Sequence, residues 1–217
     1  MNLNLGRAYS WPEIEQVPET TGVYAWYSRL EIGRADVEGV IAEVTEAKEK
    51  GDVQKARAVF SGALDRFVFG PYKESPYRVE LRGALKPRFG GEVNHEPSRS
   101  ESLLDRLVDQ PDRFRKIAAI LAGVAPGFTA PLYIGMAINL RSRLRKHKRR
   151  IIELRDNGGS PSTDDLADAG FANQVAARGF EPTNLFVMIA EVPVETTEHN
   201  DIENILNRIN FPIFGRN

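Results

Sequence analysis

The run Leu185-Phe-Val-Met-Ile-Ala-Glu-Val192 constrains the fold more than any other stretch of the chain. Its near-continuous apolar character reads as a β-strand central in its sheet. Gly22-Val-Tyr-Ala-Trp-Tyr27, rich in aromatic and β-branched residues, is a second strand candidate, and Leu132-Tyr-Ile-Gly135 a third. Between them the pattern is helical. Val37, Val40, Ile41 and Val44 recur at helical spacing, as do Ala56, Val59, Phe60, Ala63 and Leu64 after Gly51, so a helical pair is expected up to Gly70-Pro71. Ser102–Val108 and Pro111–Leu121 read as two more short helices, with Pro111 in a first turn where its missing N–H costs nothing. Tyr77–Val93 starts with period-two alternation and carries the turn signal Gly90-Gly91, which predicts a hairpin.

Downstream, Asn139 is expected to cap a helix over Leu140–Arg155, stopped by Asp156-Asn-Gly-Gly. Residues 156–165 read as a polar loop and 166–178 as a short helix. A last helix, Asn200–Ile209, carries Ile202, Ile205, Leu206 and Ile209 on one face and ends at Pro212. Residues 1–21 read as an irregular lead-in. The expectation is an α+β chain.

Composition narrows the class. None of the 217 residues is cysteine, which excludes disulfides and thiolate zinc sites. The start has no basic region followed by an apolar run, so no signal peptide is expected. No apolar stretch reaches the ~18 residues of a membrane span. A cytoplasmic protein without membrane contact is the reading. The net charge of −1 argues against indiscriminate binding of polyanions. It conceals an asymmetry: seven of the ten residues Arg141–Arg150 are Lys or Arg, whereas acids gather at Glu13, Glu15 and Glu19 and through Glu31–Glu49. A polyanion must therefore approach one face.

Three islands carry chemistry: Gly22-Val23-Tyr24; Tyr133-Ile134-Gly135 followed by Asn139, Arg143 and His147; and Glu203 on the last helix, followed by the terminal Asn217. Arg143 and His147 are four apart and share a helix face with Arg150, beside the apolar stripe of Leu140, Leu144 and Ile151. Phosphodiester hydrolysis needs a cation for the developing phosphoryl charge, a carboxylate for a divalent metal, and a base for the attacking water. Tyr24, Tyr133, Arg143, His147 and Glu203 together supply those parts. His199, four residues before Glu203, reads as solvated or structural, and His95 as an uninvolved loop residue.

Tyr-Ile-Gly with Arg ten residues after the tyrosine and His four further on resembles the core of the GIY-YIG nucleases. Gly22-Val23-Tyr24 resembles the family's first tripeptide. The strand Leu185–Val192, the helix with Glu203-Asn-Ile-Leu, the Pro and the final Asn resemble its C-terminal half. The family includes homing endonucleases, certain restriction enzymes and a nuclease domain of bacterial excision repair. The resemblance implies a small, mainly antiparallel three-stranded sheet flanked by helices. It also implies Tyr24 and Tyr133 near the attacking water, Arg143 on the scissile phosphate, His147 assisting, and Glu203 binding Mg²⁺ or Mn²⁺. Asn217 would be the family's structural or active-site asparagine. Arg141, Arg145, Lys146 and Arg150 are the accompanying candidates for substrate contacts.

Two departures stand out. Residues 25–132 separate tripeptides that the family usually keeps ~10 residues apart, the length of a hairpin connection. The strands still pair if the insertion leaves and re-enters at one edge. Met136 stands where some members carry a lysine. If that lysine lowers a tyrosine's pKa, this chain does without it or borrows a cation such as Arg145.

The expected organisation is a nuclease domain from residues 1–28 and 131–217 with a mostly helical insertion, 29–130. In the insertion, Arg78, Arg82, Lys86 and Arg88 make the hairpin a candidate DNA-reading ribbon, against a plain structural cap as the alternative. The expected activity is metal-dependent hydrolysis of DNA, with RNA not excluded, in a restriction or defence setting. One site per chain cuts both strands either as a homodimer or by sequential nicking. The rival readings are a catalytically silent nucleic-acid-binding protein and a protein-interaction module whose basic helix meets an acidic partner.

Overall fold

A computed structural model describes residues 6–73, 77–81, 83, 89–93, 100–157, 170–192 and 198–214. It is α+β. In chain order the elements are β1 (Arg7–Ser10), β2 (Gly22–Ser28), α1 (Arg34–Glu49), α2 (Val53–Leu64), β3 (Tyr77–Leu81), β4 (Phe89–Val93), α3 (Glu101–Asp109), α4 (Asp112–Val124), β5 (Tyr133–Ala137), α5 (Leu140–Asp156), α6 (Phe171–Ala177), β6 (Leu185–Glu191) and α7 (His199–Asn210). Among the described residues no helix is long and apolar enough to cross a membrane.

The main sheet is antiparallel, in the order β1-β6-β2-β5. The apolar run of β6 is central, as its composition demands. The sheet has four strands rather than three, because the lead-in contributes β1, which pairs along β6 from Arg7↔Ile189 to Ser10↔Phe186. Only Tyr9 of β1 is buried, so four residues with one inward side chain leave no period to read. The second sheet is the expected hairpin, β3 with β4, but Gly90 and Gly91 are not its turn. They lie inside β4, opposite Glu80 and Val79, and the connection falls between Leu81 and Phe89. Every residue of β4 is exposed, so no packing is lost by placing glycine there.

The long excursion between β2 and β5 closes on itself. The two strands pair from Gly22↔Ala137 to Trp26↔Tyr133, and Leu132 N–H donates to the Trp26 carbonyl at 2.7 Å. Buried side chains form two clusters. One joins β1, β2, β5, β6, α5 and α6 around Trp26, Leu132, Leu140, Leu144 and Phe171. The other joins α1 to α4 around Val44, Phe60, Leu107 and Phe114. Each fully buried side chain of this size contributes ~1.5–3 kcal/mol by leaving water.

Local chemistry sets the helix ends near the site. Asn139 accepts from Ser142 N–H at 2.8 Å and caps α5, as its position predicts. The described part of the expected helix over 166–178 is α6. The last helix buries less of its apolar stripe than its spacing predicts. Its inward row is His199, Ile202, Glu203, Leu206 and Asn207, while Ile205 and Ile209 are 56% and 66% exposed. It ends not at Pro212 but at Phe211, which adopts the left-handed conformation (φ 46°) and donates its N–H to the Asn207 carbonyl. That conformation costs a non-glycine residue ~1–2 kcal/mol. Beyond it, Phe214 N–H donates to the Leu132 carbonyl at 2.8 Å and ties the chain's end to the start of β5.

Candidate active site

Strand alternation places Tyr24 and Trp26 of β2 on one face, with Tyr133 and Gly135 of β5 beside them. Tyr24 sits opposite Gly135, and that glycine makes the site possible. A Cβ there would lie 2.7 Å from both Tyr24 Oη and Tyr133 Cε1. The two phenol rings fill the space, with centroids 6.1 Å apart. Gly22 answers a similar demand, since a Cβ would meet the Ala190 carbonyl at 2.4 Å and Leu140 Cδ1 at 2.8 Å. Leu140 begins α5, so the absent side chain lets that helix close on the sheet.

Helix α5 then delivers Arg143 and His147, one turn apart, onto the phenols. Arg143 Nε–H donates to Tyr24 Oη at 3.3 Å, and Tyr24 Oη lies 2.9 Å from His147 Nε2. The His147 ring is enclosed by Tyr24, Tyr133 and Phe171 at centroid distances of 5.8, 6.0 and 5.2 Å. Desolvation by these rings, reinforced by Arg143 and Lys146, pushes its pKa down to about 3, so the imidazole is neutral at pH 7. The Tyr24 oxygen accepts from Arg143, and the tautomer of the neutral imidazole sets which partner donates in the Tyr24–His147 hydrogen bond. Burial, and then the neighbouring Tyr133, raise the Tyr24 pKa, which keeps the phenol protonated. The hydrogen bond to Tyr24 raises the Arg143 pKa.

A cavity of 760 Å³ opens between α5 and α7. Tyr133, Arg143, Lys146, His147 and Arg150 form one wall, and Glu203 projects from α7 on the other. Burial raises the Glu203 pKa, opposed by Arg143 and then His199. Among the described residues no group of three or more His, Asp or Glu gathers about one point. Glu203 is the only carboxylate among the described residues lining the cavity. A hard cation such as Mg²⁺ binds through one or two carboxylates and completes its shell with water and phosphate oxygens. A single half-buried carboxylate, flanked on α7 by Asn200, Asn204 and Asn207 as oxygen donors, fits that mode and does not fit a closed protein cage.

The residues singled out in the sequence divide into five groups. Tyr133, Arg143, Lys146, His147, Arg150 and Glu203 line one cavity. Tyr24 does not line it. At 1% exposure it stands behind the wall and holds Arg143 and His147. Arg141 and Arg145 turn away from the cavity. Arg141 binds the Val17 carbonyl and Glu19, and Arg145 binds Glu15. Glu15, on the short 3-10 turn Pro12–Gln16, also pairs with Lys148. The acids of the lead-in thus neutralise one side of α5 and leave Arg143, Lys146 and Arg150 on the other, where Arg150 also pairs with Glu153 at 3.4 Å. Arg145 is accordingly not a substitute for a lysine at Met136; the cation on Tyr24 is Arg143. Asn217, His95, Arg82, Lys86 and Arg88 lie outside the described residues, and so does the side chain of Arg78. His199 is buried at the start of α7, with no hydrogen-bond partner for Nδ1 among the described residues.

Sequence reasoning missed Trp26, Phe171, Asn200, Asn204, Asn207, Arg208 and Phe211. Trp26 and Phe171 stack at 5.1 Å behind His147, and the rest belong to the α7 side of the cavity. The one available signal was the polar row Asn200–Asn204–Asn207 at helical spacing. Comparison with family models, with curated proteins and with solved structures gave no match.

Two titrations have measurable consequences. His147 has a folded pKa of about 3, below its unfolded value near 6.5. Between these limits only the unfolded chain takes up the proton, so stability is complete above pH ~6.5 and is lost as pH falls toward 3. Denaturant melts across that window should show a shallower pH dependence in His147→Gln than in the wild type. Glu203 has the opposite sign for a carboxylate. Its raised pKa means stability is lost as pH rises through that value, so Glu203→Gln should melt slightly higher than the wild type at pH 7 in EDTA.

Proposed function

We propose that the chain is a metal-dependent nuclease that hydrolyses DNA phosphodiesters with a GIY-YIG-type centre, on residues from β2, β5, α5 and α7. One observation carries the reading. The Tyr24 hydroxyl bridges Arg143 and His147 across the β2/β5 pair, with Glu203 facing them over a cavity. A structural network would have no need to leave Arg143, Lys146 and Arg150 open to solvent beside a half-buried carboxylate.

The scissile phosphate enters against Arg143, whose guanidinium is steadied by both phenols and can donate to non-bridging oxygens. Lys146 and Arg150 hold neighbouring phosphates. Glu203 would hold Mg²⁺ or Mn²⁺, and the bound ion would supply Lewis-acid stabilisation of charge on the phosphate and leaving oxygens. Tyr133 and His147 stand on the wall against which the attacking water is oriented, and the water's proton leaves to solvent. The water oxygen bonds to phosphorus, the bond to the leaving sugar oxygen breaks, and that oxygen is protonated from solvent. Tyr24 is a positioning residue.

The test is supercoiled plasmid with Mg²⁺ or Mn²⁺ against an EDTA control. Nicking by the wild type, absent in EDTA and in Glu203→Gln, is expected. Intact plasmid with salt-sensitive binding would mean a silent nucleic-acid-binding protein instead. Within this reading the two sides of α5 separate. Lys146→Ala and Arg150→Ala should each weaken DNA binding and lower the salt slope by about 1. Arg141→Ala and Arg145→Ala should leave both unchanged, because those side chains lie away from the cavity against Glu19 and Glu15. Fluorescence anisotropy across a salt series reads the difference.

A further inference from the structure

Phe211 is an unusual residue for its place. It closes α7 in the left-handed conformation, where glycine is preferred. Its side chain is 76% exposed yet lines the same cavity as Arg143, Arg150 and Glu203, which puts it at the rim. The position thus combines backbone strain with an aromatic ring left in water. Strain of this kind persists where a site uses it. The cavity is also larger than a phosphate needs, since 760 Å³ lies in the range of pockets that enclose whole organic ligands. Arg208, one turn before the rim, adds a fourth cation to Arg143, Lys146 and Arg150. An anionic backbone with flat bases is the occupant that matches both the charge and the exposed ring.

We infer that Phe211 is a stacking platform for an unpaired nucleobase of the DNA strand held at Arg143. The inference rests on the nucleic-acid reading above and deepens it by naming the substrate class. A base can lie on Phe211 only after leaving its helix, so the preferred substrate has unpaired nucleotides at the site: a single strand, a fork or a mismatch rather than continuous duplex.

The experiment measures binding of a labelled thymidine oligonucleotide, and of the same sugar-phosphate strand made wholly abasic, by fluorescence anisotropy. The proteins are Glu203→Gln, Glu203→Gln/Phe211→Gly and Glu203→Gln/Phe211→Trp, so cleavage does not interfere. With Phe211 present, the base-bearing strand should bind about ten-fold or more tightly than the abasic one. Phe211→Gly should bind both strands alike, and Phe211→Trp should restore the preference. Relief of the left-handed strain should raise the Phe211→Gly melting temperature by about 2–4 °C, so lost binding cannot be lost folding. Equal binding of the two strands with Phe211 present, or a preference that survives Phe211→Gly, overturns the inference. If either occurs while the wild type still nicks plasmid, the nuclease reading stands without it. A Phe211-dependent preference in a chain that never nicks leaves the inference standing and removes the catalytic reading.

Discussion

Arg143→Ala should lower the rate of plasmid nicking by about 10²–10³-fold, with its melting temperature close to that of the wild type. The rate loss is the usual effect of removing one preorganised donor aimed at developing negative charge. Stability changes little because the side chain is exposed and its hydrogen bond to Tyr24 is long at 3.3 Å. Tyr24 keeps its partner on the other side, His147 Nε2 at 2.9 Å. Arg143→Lys restores the charge but not the planar fork, so it should recover only part of the rate. Single-turnover kinetics on a labelled duplex, with thermal melts of the same proteins, separates the two effects. An Arg143→Ala protein that cuts at the wild-type rate would remove the guanidinium from the mechanism.

Gly135→Ala should damage stability and activity together. Its Cβ would lie 2.7 Å from Tyr24 Oη and from Tyr133 Cε1, and 2.8 Å from Tyr24 Cζ. Tyr133 borders the cavity and can shift, but Tyr24 cannot retreat, because it is fully buried beneath α5. Overpacking of this kind costs about 1–3 kcal/mol. The displaced Tyr24 also loses its hold on Arg143 and His147, so activity should fall at temperatures where the protein remains folded. The comparison is Gly123→Ala in α4, where a Cβ meets nothing within 4 Å; it should be neutral or slightly stabilising. Denaturant melts and nicking assays on the pair check both statements.

The legible parts of this fold were those whose signal is local. The apolar run of β6, the cap at Asn139 and the one-face spacing of Arg143 and His147 each follow from a few adjacent residues, and each was read correctly. The return of the chain from Trp26 to Leu132 was foreseen only as a geometric requirement. Strand β1 escaped because one buried side chain makes no pattern. The same limit hid the fate of Arg141 and Arg145. Nothing in a basic run says which members meet acids from a distant turn, here Glu19 and Glu15. The partial exposure of α7 was also hidden, since apolar spacing reports that a face exists and not how much of it the sheet covers. Tyr24 shows the boundary most clearly. Its place beside Tyr133 was expected, but its position behind the cavity wall follows from ring packing around Gly135.

The most direct measurement is a single turnover on a defined DNA substrate with Mg²⁺ or Mn²⁺ in water enriched in oxygen-18. Hydrolysis at the Arg143–Glu203 cavity predicts one labelled oxygen in each newly formed terminal phosphate, and no product at all from Glu203→Gln. Cleavage that leaves the terminal phosphate unlabelled, or labelled product formed equally by Glu203→Gln, would contradict it.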